Sequence, residues 1–212
     1  MKKNNILNKL VMAALLVMGY VTTTSAQSSH LPDRLSFQLD WQLNAPISGN
    51  FGNEFSVWGA GFETHYEITR KWSLGAFINF HTNHKYVERQ TLPISPTEAL
   101  TTDQQQSAFQ LPFGLSSRYT ICDNGYIKPY VGLKAGAMYA QNSSYLNTVR
   151  IYERPWGFYV SPELGINIYP QKYGRFGFHA AVYYNFATNK TDLLTYTEDS
   201  KQNIGVRLGI TF

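Results

Sequence analysis

Leu35-Ser36-Phe37-Gln38-Leu39-Asp40-Trp41-Gln42-Leu43 puts an apolar side chain at every odd position and a polar or small one at every even position. A period of two marks a β-strand with its two faces in different surroundings, because successive side chains point to opposite sides. The pattern returns over 58–68, 72–80, 109–119, 131–139, 158–168, 176–186 and 204–212. No window of helical length after Gln27 carries a 3.6-residue apolar period. Eight strands make an even count, as a single-chain barrel with both ends on one side requires. The expected fold is all-β: a closed antiparallel eight-stranded transmembrane barrel.

Period two alone does not say which face meets lipid, since a soluble lipocalin-like barrel would turn its apolar face inward. Volume decides first. An eight-stranded lumen is about wide enough for side chains to fill, and the apolar face carries Trp41, Trp58, Trp72 and many Phe and Tyr. The opposite face holds Gly59, Gly61, Gly75, Gly114, Gly132, Gly136, Gly165, Gly177, Gly205 and Gly209. Charge decides next. Asp40, Glu63, Glu67, Arg118, Lys134, Glu163 and Arg207 all fall on the glycine face, with His65 and His179. A charge facing mid-membrane lipid would cost about 2–4 kcal/mol for Arg or Lys. These groups, His179 included, are therefore expected to form a barrel-interior polar network. Lys134, Glu163 and His179 should meet, and Asp40 should pair with Arg207.

The aromatics fall into two belts. Tyr66, Trp72, Tyr119, Phe176 and Phe212 mark one rim, and Trp41, Trp58, Phe80, Phe109, Tyr139, Phe158 and Phe186 the other. Paired girdles of this kind sit at the two interfaces of a bilayer.

Residues 1–26 read as a cleaved secretory signal peptide. Lys2, Lys3 and Lys9 form the basic start, Leu10 to Val21 the apolar run, and Thr24-Ser25-Ala26 the small-residue site before Gln27. Gln27 is not a cysteine, so no lipoprotein anchor is expected, and 27–212 reads as one barrel domain. The whole chain has 18 Lys and Arg against 14 Asp and Glu. Removing the signal leaves 15 against 14, which offers no electrostatic case for nucleic acid. Cys122 is the single cysteine, so no disulfide framework exists; it reads as a turn residue in Cys122-Asp123-Asn124-Gly125.

Connections alternate in length. Short ones fall at 69–71, 120–126 and 169–174. Longer ones at 45–53, 82–106, 141–156 and 187–201 read as outer loops available to surface or host partners. The Thr-, Gln- and Pro-rich stretch 82–106 is expected to be mobile, because it has little apolar surface to offset the entropy of ordering.

Several motifs carry a family likeness: Ser25-Ala26-Gln27, Phe109-Gln-Leu-Pro-Phe-Gly-Leu, Tyr130-Val-Gly-Leu-Lys-Ala-Gly and Gly205-Val-Arg-Leu-Gly-Ile-Thr-Phe212. With them the chain resembles the OmpA/OmpX-like superfamily, specifically the small outer-membrane β-barrel proteins of Bacteroidota grouped as porin-family or PorT-like. The resemblance implies outer-membrane residence with both termini periplasmic, contact with lipopolysaccharide, and an assembly signal at Phe212 read by the barrel-assembly machinery. Larger OmpA relatives carry a peptidoglycan-binding domain after the barrel. Here Phe212 closes the sequence, so that activity is not expected.

Chemistry-bearing motifs are sparse. His81 and His84 lack a third metal ligand nearby. His81-Thr82-Asn83 departs from the His-x-Ser pattern of lipid A deacylases at the nucleophile, and acyl transfer needs that nucleophile beside its base. No cofactor and no catalytic residue are expected. The reading is a non-enzymatic envelope protein contributing to outer-membrane integrity. The alternative is a narrow channel or lateral port for small solutes, and a lipid A-modifying enzyme stands a distant third.

Overall fold

Alternation runs further along the chain than the apolar residues do. The computed structural model describes residues 34–95, 97–146, 149–172, 174–193 and 196–212, and the signal peptide expected at 1–26 lies outside them. The strands are β1 (Leu35–Pro46), β2 (Gly59–Glu67), β3 (Trp72–Ser95), β4 (Glu98–Thr120), β5 (Ile127–Leu146) and β6 (Val149–Glu153). They continue as β7 (Trp156–Ile168), β8 (Gly177–Ala187), β9 (Thr191–Leu193), β10 (Tyr196–Glu198) and β11 (Lys201–Thr211). β1 to β5, β7, β8 and β11 form a closed antiparallel barrel, sealed where β1 pairs with β11, Leu39 opposite Ile210 and Trp41 opposite Leu208. β6 continues the β5 ladder in the register of β7, and β9 pairs with β10 as a separate hairpin.

Phe212 and Phe37 exchange backbone hydrogen bonds of 2.7 and 2.9 Å, so the first and last strands meet at one end, here the termini end. Its turns are short. At 121–126 the Asn124 side chain accepts from the amides of Tyr126 and Ile127, Asp123 accepts from Gly125, and Gly125 takes a left-handed φ of 83°. That is the turn chemistry expected of the segment, with Cys122 exposed in it.

The opposite, hairpin end corrects the reading of 82–106 as a loop. β3 and β4 extend through it as one hairpin, His84 opposite Ser107 and Thr91 opposite Thr101, with a register shift between Val87 and Gln90. What orders this polar stretch is inward burial rather than apolar surface. Gln104 and Gln106 are fully buried, and Gln106 accepts from the Gly52 amide at 2.9 Å. The segment 141–156 is likewise largely strand, and 187–201 holds the β9–β10 hairpin. The connection 47–58 lies outside the strands and turns Phe51 inward against Ala108 and Leu193, with Tyr196 and Ile151 packed beside them.

Two prolines explain gaps in the barrel ladders. The β3–β4 pairing keeps register from Ile78–Phe113 to His81–Gln110 but lapses beside Pro112, which has no N–H to give. The β7–β8 pairing lapses the same way beside Pro162.

The lumen is filled by exchanging volume between neighbouring strands. Phe77 sits opposite Gly114, Tyr130 opposite Gly165, Tyr159 opposite Gly136, and Tyr183 opposite Gly205. Each inward ring lies over a residue without a side chain. At Gly165 an added Cβ would fall 2.5 Å from the Tyr130 ring. Gly165→Ala is expected to cost about 1–3 kcal/mol, as overpacking does, and much less in a Tyr130→Ala background. Urea titrations of the refolded barrel in lipid vesicles measure both. Equal losses in the two backgrounds would refute the pairing of ring and glycine.

Candidate functional site

The interior face of β1, β2, β4, β5, β7, β8 and β11 gathers charge into one cluster. Glu63 on β2 is its centre and is fully buried. It accepts from Lys134 on β5 and, at 2.7 Å, from Arg118 on β4, while His65 lies 3.1 Å away and Arg207 on β11 3.9 Å. Glu163 on β7 accepts from Arg207, from Lys134 at 2.8 Å, and is 3.4 Å from Arg118. The cations rest on rings as well. Arg207 lies 4.1 Å from the Tyr183 centroid, Arg118 4.4 Å from Tyr130, and Lys134 5.8 Å from Phe77.

A second branch runs through Tyr130, whose hydroxyl donates to Glu163 at 3.2 Å and lies 2.6 Å from Nε2 of His179. Nδ1 of His179 donates to Asp40 at 2.7 Å, because a carboxylate only accepts. Gln38 joins the branches, donating to Asp40 and accepting from Arg118. Asp40, Glu63 and Glu163 thus stand against Arg118, Lys134 and Arg207, a balanced set in a buried interior. Such balance is what makes buried charge tolerable.

The structure revises parts of the expected network. Lys134 and Glu163 meet, but His179 reaches Glu163 only through Tyr130. Asp40 and Arg207 do not pair; Arg207 stands opposite Gln42 across the seam and reaches Glu163, leaving Asp40 to His179. Glu67 does not join the cluster. It ends β2 exposed at the termini mouth, in a cavity of about 60 Å³ that it lines with Lys128, Tyr169 and Thr211.

Beyond the charges Phe77, Met138, Ala140, Tyr159 and Ala187 form an apolar cluster on the side of the lumen lined by β3, β5, β7 and β8. Toward the hairpin end amides take over. His81 contacts Gln110 at 3.0 Å and Asn203 at 3.5 Å, and Asn44 donates to Asn83 at 3.0 Å. At the rim Glu198 accepts from the amides of Asn50 and Phe51 and lies 3.8 Å from Lys201. His81 therefore points into the lumen, whereas His84 is exposed, so the two histidines do not converge. Beyond the barrel, the Asp103 carboxylate 3.4 Å from Tyr86 pushes that hydroxyl's pKa up.

The exterior is apolar. Trp41, Trp58, Tyr66, Trp72, Phe80, Tyr119, Phe158, Phe176 and Phe212 are exposed on it. Phe109, Tyr139 and Phe186 are half-covered by neighbours on the same face; Tyr139, for example, packs 5.2 Å from Trp156. Trp72 and Tyr119 pack edge to face at 5.4 Å at the termini end. Phe77, Tyr130, Tyr159 and Tyr183 were not among the residues expected inside, where only charged groups, histidines and glycines were named. Their phase was the available signal, since each shares the parity of the glycines.

A closed barrel with charge inside and a bare apolar exterior is a membrane-spanning barrel. The chain belongs to the outer membrane protein beta-barrel domain family, which matches residues 12–212, and it is an integral outer-membrane protein. Neisserial surface protein A (NspA) is similar in fold, with a TM-score of 0.51 and 15% identity over 84% of this chain and 95% of that one. Ail, the attachment invasion locus protein of Yersinia pestis, gives 0.43 and 14% over 84% and 97%. OprG from Pseudomonas aeruginosa gives 0.41 and 14% over 84% and 93%. No match is found among curated protein sequences.

Proposed function

We propose that the protein is a non-enzymatic, non-conducting barrel that contributes to envelope integrity, with the termini end in the periplasm and the hairpin end outside. The observation that carries this is the packed lumen. The charged cluster crosses the lumen, and the Phe77–Met138–Tyr159 cluster fills one side of it toward the hairpin end, which leaves little room for a continuous file of water. The projecting β3–β4 and β5–β6 hairpins and the rim segment 47–58 supply the surface for neighbouring envelope components or host surfaces. Phe212, exposed beside β1, fits the assembly signal. Placement among porin-family or PorT-like barrels of Bacteroidota rests on the sequence motifs.

A narrow channel is the second reading, and one feature favours it. The amides of Gln42 and Asn79 flank Gly61 inside the barrel with no protein partner for any of their four polar atoms. A solute path would still have to pass the charged cluster that crosses the lumen. A lipid A-modifying role finds less support, because the partners of His81 are amides inside the lumen, turned away from lipid.

Purified protein in planar bilayers is expected to show at most small, irregular currents. Steady, large unitary conductance would replace the closed-barrel reading with the channel. A gene deletion scored for both envelope leakiness and adhesion then separates an integrity role from a surface-contact role.

A further inference from the structure

Past the aromatic rim of the hairpin end, Arg150-Ile151-Tyr152-Glu153-Arg154-Pro155-Trp156 continues in one register along β5, Asn142 opposite Glu153 and Tyr139 opposite Trp156. Alternation therefore sends Arg150, Tyr152, Arg154 and Trp156 to the exterior. Trp156 is 62% exposed and packs against Tyr139 and, at 6.2 Å, Phe113, within the apolar band. The guanidinium of Arg154 lies 5.0 Å from the Tyr152 centroid and that of Arg150 5.3 Å from it, so two cations flank one ring. Arg150 also lies 5.2 Å from the Tyr145 ring and donates to Ser143 at 2.8 Å, while its Nε has no partner.

Neither guanidinium has an acid partner among the described residues. The exposed ion pairs are elsewhere, at Lys128–Asp123 and Lys190–Asp199. Glu153, between the two arginines in sequence, turns to the other face and accepts from the Asp192 amide at 2.9 Å. Stacking holds a guanidinium by its face, so the exposed Arg154 keeps its N–H edge for phosphate, which a guanidinium grips bidentately. Arg150 spends one N–H group on Ser143 and buries its Nε. Depth fits the same ligand. On a strand tilted by about 40°, Arg154, two residues beyond Trp156, rises about 5 Å above it and Arg150, six residues beyond, about 15 Å. Arg154 therefore reaches the headgroup layer, about 5–7 Å thick on each side of the hydrocarbon, while the backbone of Arg150 stands beyond it and its guanidinium meets the Tyr152 ring.

We propose that Arg150 and Arg154, held around Tyr152, bind the phosphate of a phosphorylated glycolipid in the outer leaflet. The identity of the leaflet rests on the orientation proposed above; the phosphate chemistry does not. Acyl chains of such a lipid would lie against Trp156 and Phe158, directly below the cations on the same face.

The test uses the refolded barrel in phosphatidylcholine nanodiscs doped with diphosphoryl lipid A, with retained lipid counted by native mass spectrometry. Arg150→Gln with Arg154→Gln is expected to lower retention about tenfold or more, from the loss of two interfacial cations. Lys190→Gln, an exposed cation of the same end, should leave it unchanged, and dephosphorylated lipid A should be retained poorly by all. Equal retention by wild type and the double variant, or equal retention of the dephosphorylated lipid, overturns the site. Displacement by inorganic phosphate at equal concentration assigns a free anion and overturns the lipid. Should the double variant not refold, Arg154→Gln alone carries the test, with a loss of about fivefold expected. Orientation is read separately with a membrane-impermeant maleimide. Cys122, exposed at the termini end, should react only after cells are permeabilised. Reaction on intact cells would overturn the orientation while leaving the nanodisc result to stand for itself.

Discussion

Glu63→Ala is expected to destabilise the folded barrel by about 3–5 kcal/mol, the cost of leaving buried charge without its partner. Glu63 faces Lys134, Arg118 and Arg207 from the centre of the lumen, and Glu163 alone cannot balance all three. The loss should show in urea-dependent unfolding in lipid vesicles and as a lower temperature of heat-modifiability on gels. Glu63→Leu combined with Lys134→Met removes one charge of each sign at similar volume. It should recover much of the stability, since buried ion pairs are often replaceable by apolar groups. If Glu63→Ala costs less than about 1 kcal/mol, water reaches the cluster and screens its charges.

Leu208→Arg tests the other face. Leu208 projects from mid-strand of β11 into the apolar band, paired with Trp41 on one side and Ala180 on the other. An arginine there should cost about 2–4 kcal/mol, whereas Leu208→Met should be nearly neutral. An arginine tolerated as well as methionine in vesicles would mean that Leu208 does not meet hydrocarbon.

The eight barrel strands and their two faces were legible because period two recurs in every strand from Leu35 to Phe212 and the charges in those alternating spans all share the glycine face. Strand length was not legible. The polar run 82–106 looked like a loop by composition, but pairing between β3 and β4 orders it, and Gln106 finds burial under the segment around Phe51 and Gln104 beside Ser144. Nothing local to those glutamines announces that cover. Pair choice inside the lumen was only partly legible for a similar reason. Counting residues from the rim put Asp40 level with Arg207, but an arginine reaches several ångströms past its own Cα. Arg207 spends that reach on Glu163, and Asp40 is left to a histidine on β8. The four inward rings could have been read from their phase, since each shares the parity of the glycines and has a glycine opposite that gives it room.

The seam between β1 and β11 has a consequence for how the molecule comes into being. Leu39 meets Ile210 and Asp40 meets Gly209, contacts that join the two extremes of the barrel sequence. The remaining barrel pairings join strands that follow closely along the chain. Local hairpins can zip early, but the seam must wait, because closing the longest loop carries the largest entropy cost and long-range pairing is slow. Until that moment the nascent sheet has two raw borders, each with a row of unpaired amides and carbonyls ready to accept any extended chain. Folding speed and aggregation are therefore decided at the same two strands, and whatever shepherds this polypeptide into the membrane must shield or occupy those borders until they find each other.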